Sequence, residues 1–391
     1  MSSTNKKCRT KVKIRDRISG LPDSLLLHIL SFLPTKRAVT TNLLSKRWRS
    51  LWLSLPTLDF NRGNFKSLSF FHRFVDKVLK LVDLKSVKKF VFRCDHYEPR
   101  EYFRPRMISK WIDAVINNKV EDLELRLNLQ KGSYELPSIV FTSNYIKVLK
   151  CSGATTVYRG RNGVTLGALS HVNLPSLEVL YMENVKFPDF GSLGMVLSAC
   201  ALLKELVLKI SLVGDCPTLD IGRLNHLVSA EVPQSLLPLK VISNVTFLRL
   251  YRPRVKWPFN EDIPMFHNLI HLECHAEEWT RMVNCLENFP KLQKLEIYEL
   301  RSASPPQPIL DVPSCVSLHH LKEFTLLSFE GSETESELEI VNFMIKHAGV
   351  LRTVYICAAP RAYMLPRFKK LAERLKSGSG KQEQPLVFMI S

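Results

Sequence analysis

The chain has 391 residues, 45% of them hydrophobic and 24% charged, with a net charge of +18; this length allows two or three domains and a sizeable core. No stretch approaches the ~20 apolar residues of a membrane span, and no apolar core follows the basic start "MSSTNKKCRTKVKIRDR", so the protein reads as soluble, unsecreted and without a membrane partner. Nine scattered cysteines, never spaced C-x-x-C, fit reduced, buried thiols rather than a disulfide or zinc framework.

Residues 1–60 hold 12 Lys+Arg and 3 Asp+Glu, which is half of the positive excess. A nucleic-acid footprint would stripe the charge over a fold, so nucleic acid is not the expected partner. Lys6, Lys7, Arg9, Lys11, Lys13, Arg15 and Arg17 form a basic leader over 1–15 and its margin. It reads as a solvated, disordered terminus, with a nuclear localisation signal as the alternative; the expected location is nucleus and/or cytoplasm.

The first element is a helix in "LPDSLLLHILSFLPT". On a helical wheel, Leu25, Leu26, Leu27, Ile29, Leu30, Phe32 and Leu33 span an arc of roughly 220°, whereas a surface helix needs little more than ~100°. Two sides must therefore be buried. Pro22 and Asp23 suit the first turn, and Pro34 ends the helix. Thr35 can cap a second helix reaching Leu43, and Ser45 a third that offers Trp48, Leu51 and Trp52. Three short helices cannot bury all these side chains among themselves, which predicts a docking module with one apolar face closed by another protein.

Residues 16–60, "DRISGLPDSLLLHILSFLPTKRAVTTNLLSKRWRSLWLSLPTLDF", resemble an F-box of the plant type. The matching pieces are Leu21-Pro22, Asp23, the Leu26/Ile29/Leu30/Leu33 helix, Pro34, Ala38-Val39 and the closing "LSKRWRSLW"; "TTN" at 40–42 departs from the usual arginine-containing segment. The resemblance implies binding to a Skp-type adaptor and, through it, to the cullin and RING subunits of an SCF-type ubiquitin ligase. Carried over by position, the adaptor-facing candidates are Leu21, Pro22, Leu25, Ile29, Leu33, Pro34, Val39, Leu44 and Trp48.

From residue 87 an apolar-x-x-apolar-x-apolar unit recurs, starting at Val87, Val120, Ile146, Leu177, Leu203, Leu227, Val245, Leu269, Leu292, Leu321 and Leu351. The last four residues of each unit alternate as a half-buried strand does, and the segments between carry Pro, Asn and short helical patterns such as "SLGMVLSACALL" at 192–203. This is the leucine-rich-repeat scheme of strand, turn and return segment stacked into a horseshoe. The strands recur too evenly for a doubly wound sheet.

"LPSLEVLYMENVKFPDFGSLGMVLSACALLKELVL" at 174–208 resembles the repeats of the plant F-box/leucine-rich-repeat/FBD proteins, and 315–357 resembles their FBD region, where acidic "ETESELE" starts a helix and Leu351 opens the next strand. "KSGSGKQEQ" at 376–384 reads as a flexible loop and "LVFMI" as a last strand. The expected fold class is α/β: a three-helix F-box (16–60), an irregular leucine-rich-repeat solenoid (61–314), and an FBD-like αβ region with capping repeats (315–391).

No catalytic signature is present: no G-x-S-x-G, P-loop or G-x-G-x-x-G. His267, His271, Cys274 and His275 are the best metal candidates, but on a strand four residues span roughly 13 Å and Cys274 points away from His271, so no cofactor or metal is expected. Residues flanking the inward leucines would face a target. Tyr181, Phe247, Arg249, Tyr251, His271, Glu273, Lys294, Glu296 and Tyr298 are the candidate target-binding set, because exposed aromatic and Arg side chains are what binding hot spots use. The expected function is a non-catalytic substrate adaptor with an unknown protein target. Two readings compete with it: a repeat scaffold acting outside a ligase, and nucleic-acid or small-anion binding through the basic surface.

Overall fold

The computed structural model describes residues 17–96, 104–129, 133–153, 163–210, 221–233, 236–251, 263–275, 285–298, 318–329, 336–358 and 387–390. The basic leader 1–15, the acidic residues 333–335 and the loop at 376–384 lie outside these.

Three short helices open the fold: α1 (Asp23–Ser31), α2 (Thr35–Thr40) and α3 (Lys46–Leu51). Pro22 stands at the N-cap of α1, Pro34 at that of α2 and Ser45 at that of α3. The second helix tightens to a 3-10 turn over Thr41–Leu43. Thr35 does not cap its helix; its hydroxyl accepts the backbone N–H of Asp59 instead, at 2.7 Å. A longer pair follows, α4 (Leu68–Leu81) and α5 (Pro105–Asn117). Ser67 caps α4 through its hydroxyl on the Phe70 N–H, and Pro105 occupies the first turn of α5, where its missing N–H costs nothing. Later come α6 (Phe190–Ser198), capped by Asp189, and α7 (Ser336–His347).

The strands are β1 (Thr57–Asn61), β2 (Lys89–His96), β3 (Asp122–Leu129), β4 (Ser133–Leu136), β5 (Val148–Gly153), β6 (Gly163–Leu166), β7 (Val179–Glu183) and β8 (Val185–Lys186). They continue with β9 (Glu205–Lys209), β10 (Ser229–Pro233), β11 (Phe247–Tyr251), β12 (His271–His275), β13 (Lys294–Tyr298), β14 (Glu323–Phe329), β15 (Thr353–Ala358) and β16 (Val387–Ile390). Among the described residues, thirteen form one sheet in the order β1-β2-β3-β5-β7-β9-β10-β11-β12-β13-β14-β15-β16. Every pairing in it is parallel. The strand order follows the chain with no reversal, which removes the doubly wound alternative: that fold requires a switch point where the order turns back. The turns after β3, β5 and β7 contribute a small second parallel sheet, β4-β6-β8.

Each repeat of the sequence supplies one strand, beginning two residues after the repeat's first apolar position. Those first positions, Val87 through Leu351, are all buried, and the N–H beyond each bonds back to the preceding repeat, as Lys147 does to the Glu121 carbonyl and Lys204 to the Glu178 carbonyl, both at 2.8 Å. Burial then alternates along strands such as β11 and β13, whereas β12 is buried at its three central positions, Leu272, Glu273 and Cys274. One turn is tight enough to require glycine: a Cβ on Gly153 would stand 2.5 Å from the carbonyl of Asn184, itself at φ +53° between β7 and β8.

The strand set begins one unit earlier than the repeats legible in the sequence. β1 lies at the end of the helical module and pairs with β2 from Thr57↔Lys89 to Asn61↔Arg93. Leu26, Leu30, Ala38, Trp48 and Trp52 thereby join Leu58, Phe60, Phe71 and Phe92 in one continuous core. No helix among the described residues is long and apolar enough to cross a membrane.

Candidate functional site

Two faces gather the residues that sequence reasoning selects. The first belongs to α1. Its wide apolar arc splits in two: Leu26 and Leu30 are buried, while Leu25 and Ile29 are 47% and 44% exposed and Phe32 75% exposed. The exposed set is spaced i, i+4, i+7, one stripe of the helix. Leu43 and Leu44, beyond α2, add 85% and 68% exposure. Burying a leucine fully is worth ~1.5–3 kcal/mol, so leaving this many exposed on ~20 residues forgoes a large share of what so small a module could gain.

Of the adaptor-facing candidates, Leu25, Ile29, Leu44 and Pro22 are exposed, and Leu21, Leu33, Pro34 and Val39 are half-buried. Trp48 lies in the core with Leu51 and Trp52; it supports the face from beneath. Sequence reasoning omitted Phe32 and Leu43, although the arc that selected Leu25 and Ile29 contains Phe32. It also omitted Arg47. This guanidinium bonds Asp23 Oδ1 through Nε at 2.7 Å and the Ser19 carbonyl through Nη1 at 2.8 Å, and Nη2 reaches the Leu21 carbonyl. It pins the start of α1 to α3, and so fixes the tilt of the exposed stripe.

The second face is the open side of the large sheet. Register aligns Tyr181, Val207, Glu231, Arg249, Glu273, Glu296 and Thr325 in a single row, with Phe247, His271, Lys294 and Glu323 in the row beside it. All nine candidate target-binding residues stand on this side. Eight are half-buried by their neighbours, and Glu273 is buried, 4% exposed. They are tied together rather than free in solvent. Arg249 donates through Nε to Glu273 and lies 3.2 Å from Glu231; Tyr298 donates its hydroxyl to Glu273 at 3.1 Å. Lys294 sits 2.7 Å and His271 3.1 Å from Glu296. The His275 and Tyr298 rings stack at 5.4 Å, and Phe247 meets His271 edge-on at 4.9 Å.

The charges follow from this wiring. Burial works against ionising Glu296, but the Lys294 ammonium and His271 outweigh it and hold the carboxyl below its ordinary value. Burial, then the charges of Glu273 and Glu296, push the Tyr298 hydroxyl up to about 12. Burial and the hydrogen bond to Glu183 push Tyr181 up to about 12 as well. Residues missed by sequence reasoning are Glu231 and Lys209, 3.1 Å apart. Glu231 was findable, since it holds the third strand position that Arg249 and Glu273 hold in the next two repeats.

Of the metal candidates weighed on sequence, His271 and His275 face the open side while Cys274 is buried, as strand alternation requires. His271, Glu273 and Glu296 do converge, their ligand atoms within 4.8 Å of one another, but Arg249 and Lys294 already neutralise both carboxylates.

Comparison with known proteins agrees with this architecture. Residues 18–59 match the F-box domain model, and residues 307–356 match the FBD model. An F-box/FBD/LRR-repeat protein of Arabidopsis thaliana is 27% identical over 96% of this chain and 100% of its own length. F-box/LRR-repeat protein 13 of the same plant is 31% identical, over 61% of this chain and 52% of its own length. A putative FBD-associated F-box protein, also from Arabidopsis thaliana, is 38% identical over 48% of this chain and 42% of its own length.

Proposed function

We propose that this chain, which carries an F-box domain at its N-terminal end and an FBD toward its C-terminal end, is the substrate-recognition adaptor of an SCF-type ubiquitin ligase. F-box domains generally bind Skp-type adaptors, and the carrying observation here is the exposed stripe Leu25, Ile29 and Phe32 beside Leu43 and Leu44, a face that a partner must cover to recover its burial energy. The stack of repeats, a horseshoe in this reading, holds the target protein on the open side of the sheet.

The chain's part in ubiquitination is geometric. The docking face fixes it on the ligase, the sheet fixes the target, and target lysines gain effective concentration near the activated ubiquitin. No residue of the chain takes part in the covalent steps. The complex works, in this reading, in the nucleus and/or the cytoplasm.

The test is a pull-down of the full chain by a Skp-type adaptor, comparing wild type with Leu25→Asp/Ile29→Asp. Both side chains are exposed, so the variant keeps its fold by circular dichroism and loses the adaptor. Undiminished recovery of the variant would sink the docking reading.

A further inference from the structure

The open face of the sheet from β7 to β14 differs in sign from the molecule that carries it. Glu183, Glu205, Glu231, Glu273, Glu296 and Glu323 project from these strands, against Lys209, Arg249 and Lys294. Six carboxylates against three cations leave an excess of three negative charges, in a chain whose net charge is +18.

The excess is localised. Glu231 and Glu273 share Arg249, with Lys209 also on Glu231, and Glu296 is held by Lys294. Glu183 instead accepts the Tyr181 hydroxyl, at 2.8 Å, and Glu205 is exposed; among the described residues neither meets a Lys or Arg at ion-pair distance. Glu323, its side chain 53% exposed, reaches Lys294 only at 3.9 Å. The face also shows what chemistry it seats. The Lys209 ammonium lies over the Tyr181 ring, 5.8 Å from its centre, while touching Glu231. An ammonium held between a tyrosine ring and a carboxylate is a cation–π site with a counter-charge, and Tyr251 and Tyr298 supply further rings along the same face.

We infer that this face captures a lysine- and arginine-rich segment of the target protein. Carboxylates at Glu183, Glu205 and Glu323 meet its charges, and the tyrosine rings cover its alkyl stems. An extended segment of about ten residues spans ~33 Å, enough to cross seven strands spaced ~4.8 Å apart. A phosphate backbone would meet the wrong sign here. The inference rests on the target-capture step of the proposed function and specifies its substrate class.

The experiment uses the full chain and a fluorescein-labelled peptide of alternating Lys and Gly, followed by anisotropy at low and moderate salt. A labelled Glu/Gly peptide and a labelled single-stranded DNA are titrated separately as acidic probes. The expected result is salt-sensitive binding of the basic peptide, weakened about tenfold by Glu183→Gln/Glu205→Gln/Glu323→Gln, as the loss of three part-exposed ion pairs would do. Binding of either acidic probe, where it occurs, is not weakened by the triple variant. Absence of binding, or equal affinity in the triple variant, overturns the inference. So does binding that appears only after Lys6, Lys7, Arg9, Lys11, Lys13, Arg15 and Arg17 are changed to Gln, because the occupant is then the chain's own leader. The adaptor pull-down on the same triple variant reads docking alone, so the two claims fail separately.

Discussion

The buried hydroxyl of Thr35 accepts the backbone N–H of Asp59 at 2.7 Å, which ties the helical module to the first strand of the sheet. Thr35 stands at the start of α2, and Asp59 is the central residue of β1. Replacing the hydroxyl by a methyl of the same shape leaves that N–H without its partner. Thr35→Val should therefore cost about 1–3 kcal/mol. Hydrogen exchange of the Asp59 amide, measured by NMR or fragment mass spectrometry, should accelerate while amides of β9 and β11 stay protected. An unchanged Asp59 rate would show that β1 is held by its pairing with β2 and by packing, without help from the Thr35 hydroxyl.

The two sides of α1 should separate stability from docking. Leu26 is fully buried, and Leu26→Ala should cost 2–5 kcal/mol by the lost transfer energy and the cavity left behind. Leu25→Ala, one residue earlier and 47% exposed, should change stability by no more than about 0.5 kcal/mol. Denaturant midpoints of the two single variants decide this directly; equal losses would mean that the helix is buried on both sides.

Arg249 is the hinge of the charge network, set between Glu231 and the buried Glu273. Burial disfavours its charge, but both carboxylates hold it more firmly protonated than usual. Arg249→Met leaves the buried Glu273 carboxylate with the Tyr298 hydroxyl and His271 but without its guanidinium, and should cost about 1–3 kcal/mol. Adding Glu273→Gln should return part of that loss. A double variant no more stable than the single one would show that the pair does not interact.

Acid should weaken the fold through specific carboxyls. Glu121 is held below its ordinary 4.5 by hydrogen bonds from Lys147 and Lys88, and Glu296 is held below 4.5 as described. A carboxyl lowered in the folded state contributes stability above its unfolded value and loses it as pH falls through the folded one. Urea midpoints should thus stay level from neutral pH to about 5 and fall below about 4.5. Glu121→Gln/Glu296→Gln should flatten that fall, and an identical slope in the variant would assign it to other groups.

Burial pushes the thiols of Cys151, Cys200 and Cys274 up to about 12, so almost none is thiolate at neutral pH. Iodoacetamide at pH 8, read by peptide mass spectrometry, should leave these three unmodified in the native chain and label them after denaturation. Native labelling of Cys274 would contradict its place in the core.

Much of this arrangement is readable in the residues themselves. The apolar position that opens each repeat is fixed by burial and recurs from Val87 to Leu351, so eleven strands announce themselves. β1 obeys the same rule, with buried Leu55 two residues before it, but its segment closes a proline-punctuated helical module and reads there as the end of that module. Half of the exposed α1 stripe is legible as excess apolar arc, but periodicity alone cannot tell Leu25 from Leu26; only the burial of Leu26 in the shared core does that. On the open face, alternation identified which residues point outward. It could not reveal that Arg249 closes on Glu231 and Glu273, since these partners lie 18 and 24 residues away and meet only through strand register.

The unbroken order of the large sheet makes reach a countable property. Each strand bonds only to the unit before and the unit after it, so gain or loss of a whole repeat shifts everything downstream by one strand spacing, ~4.8 Å, and leaves everything upstream in place. The separation between the helical module and the far end of the sheet is therefore set in whole steps, and either end can stay as it is while the count between them changes.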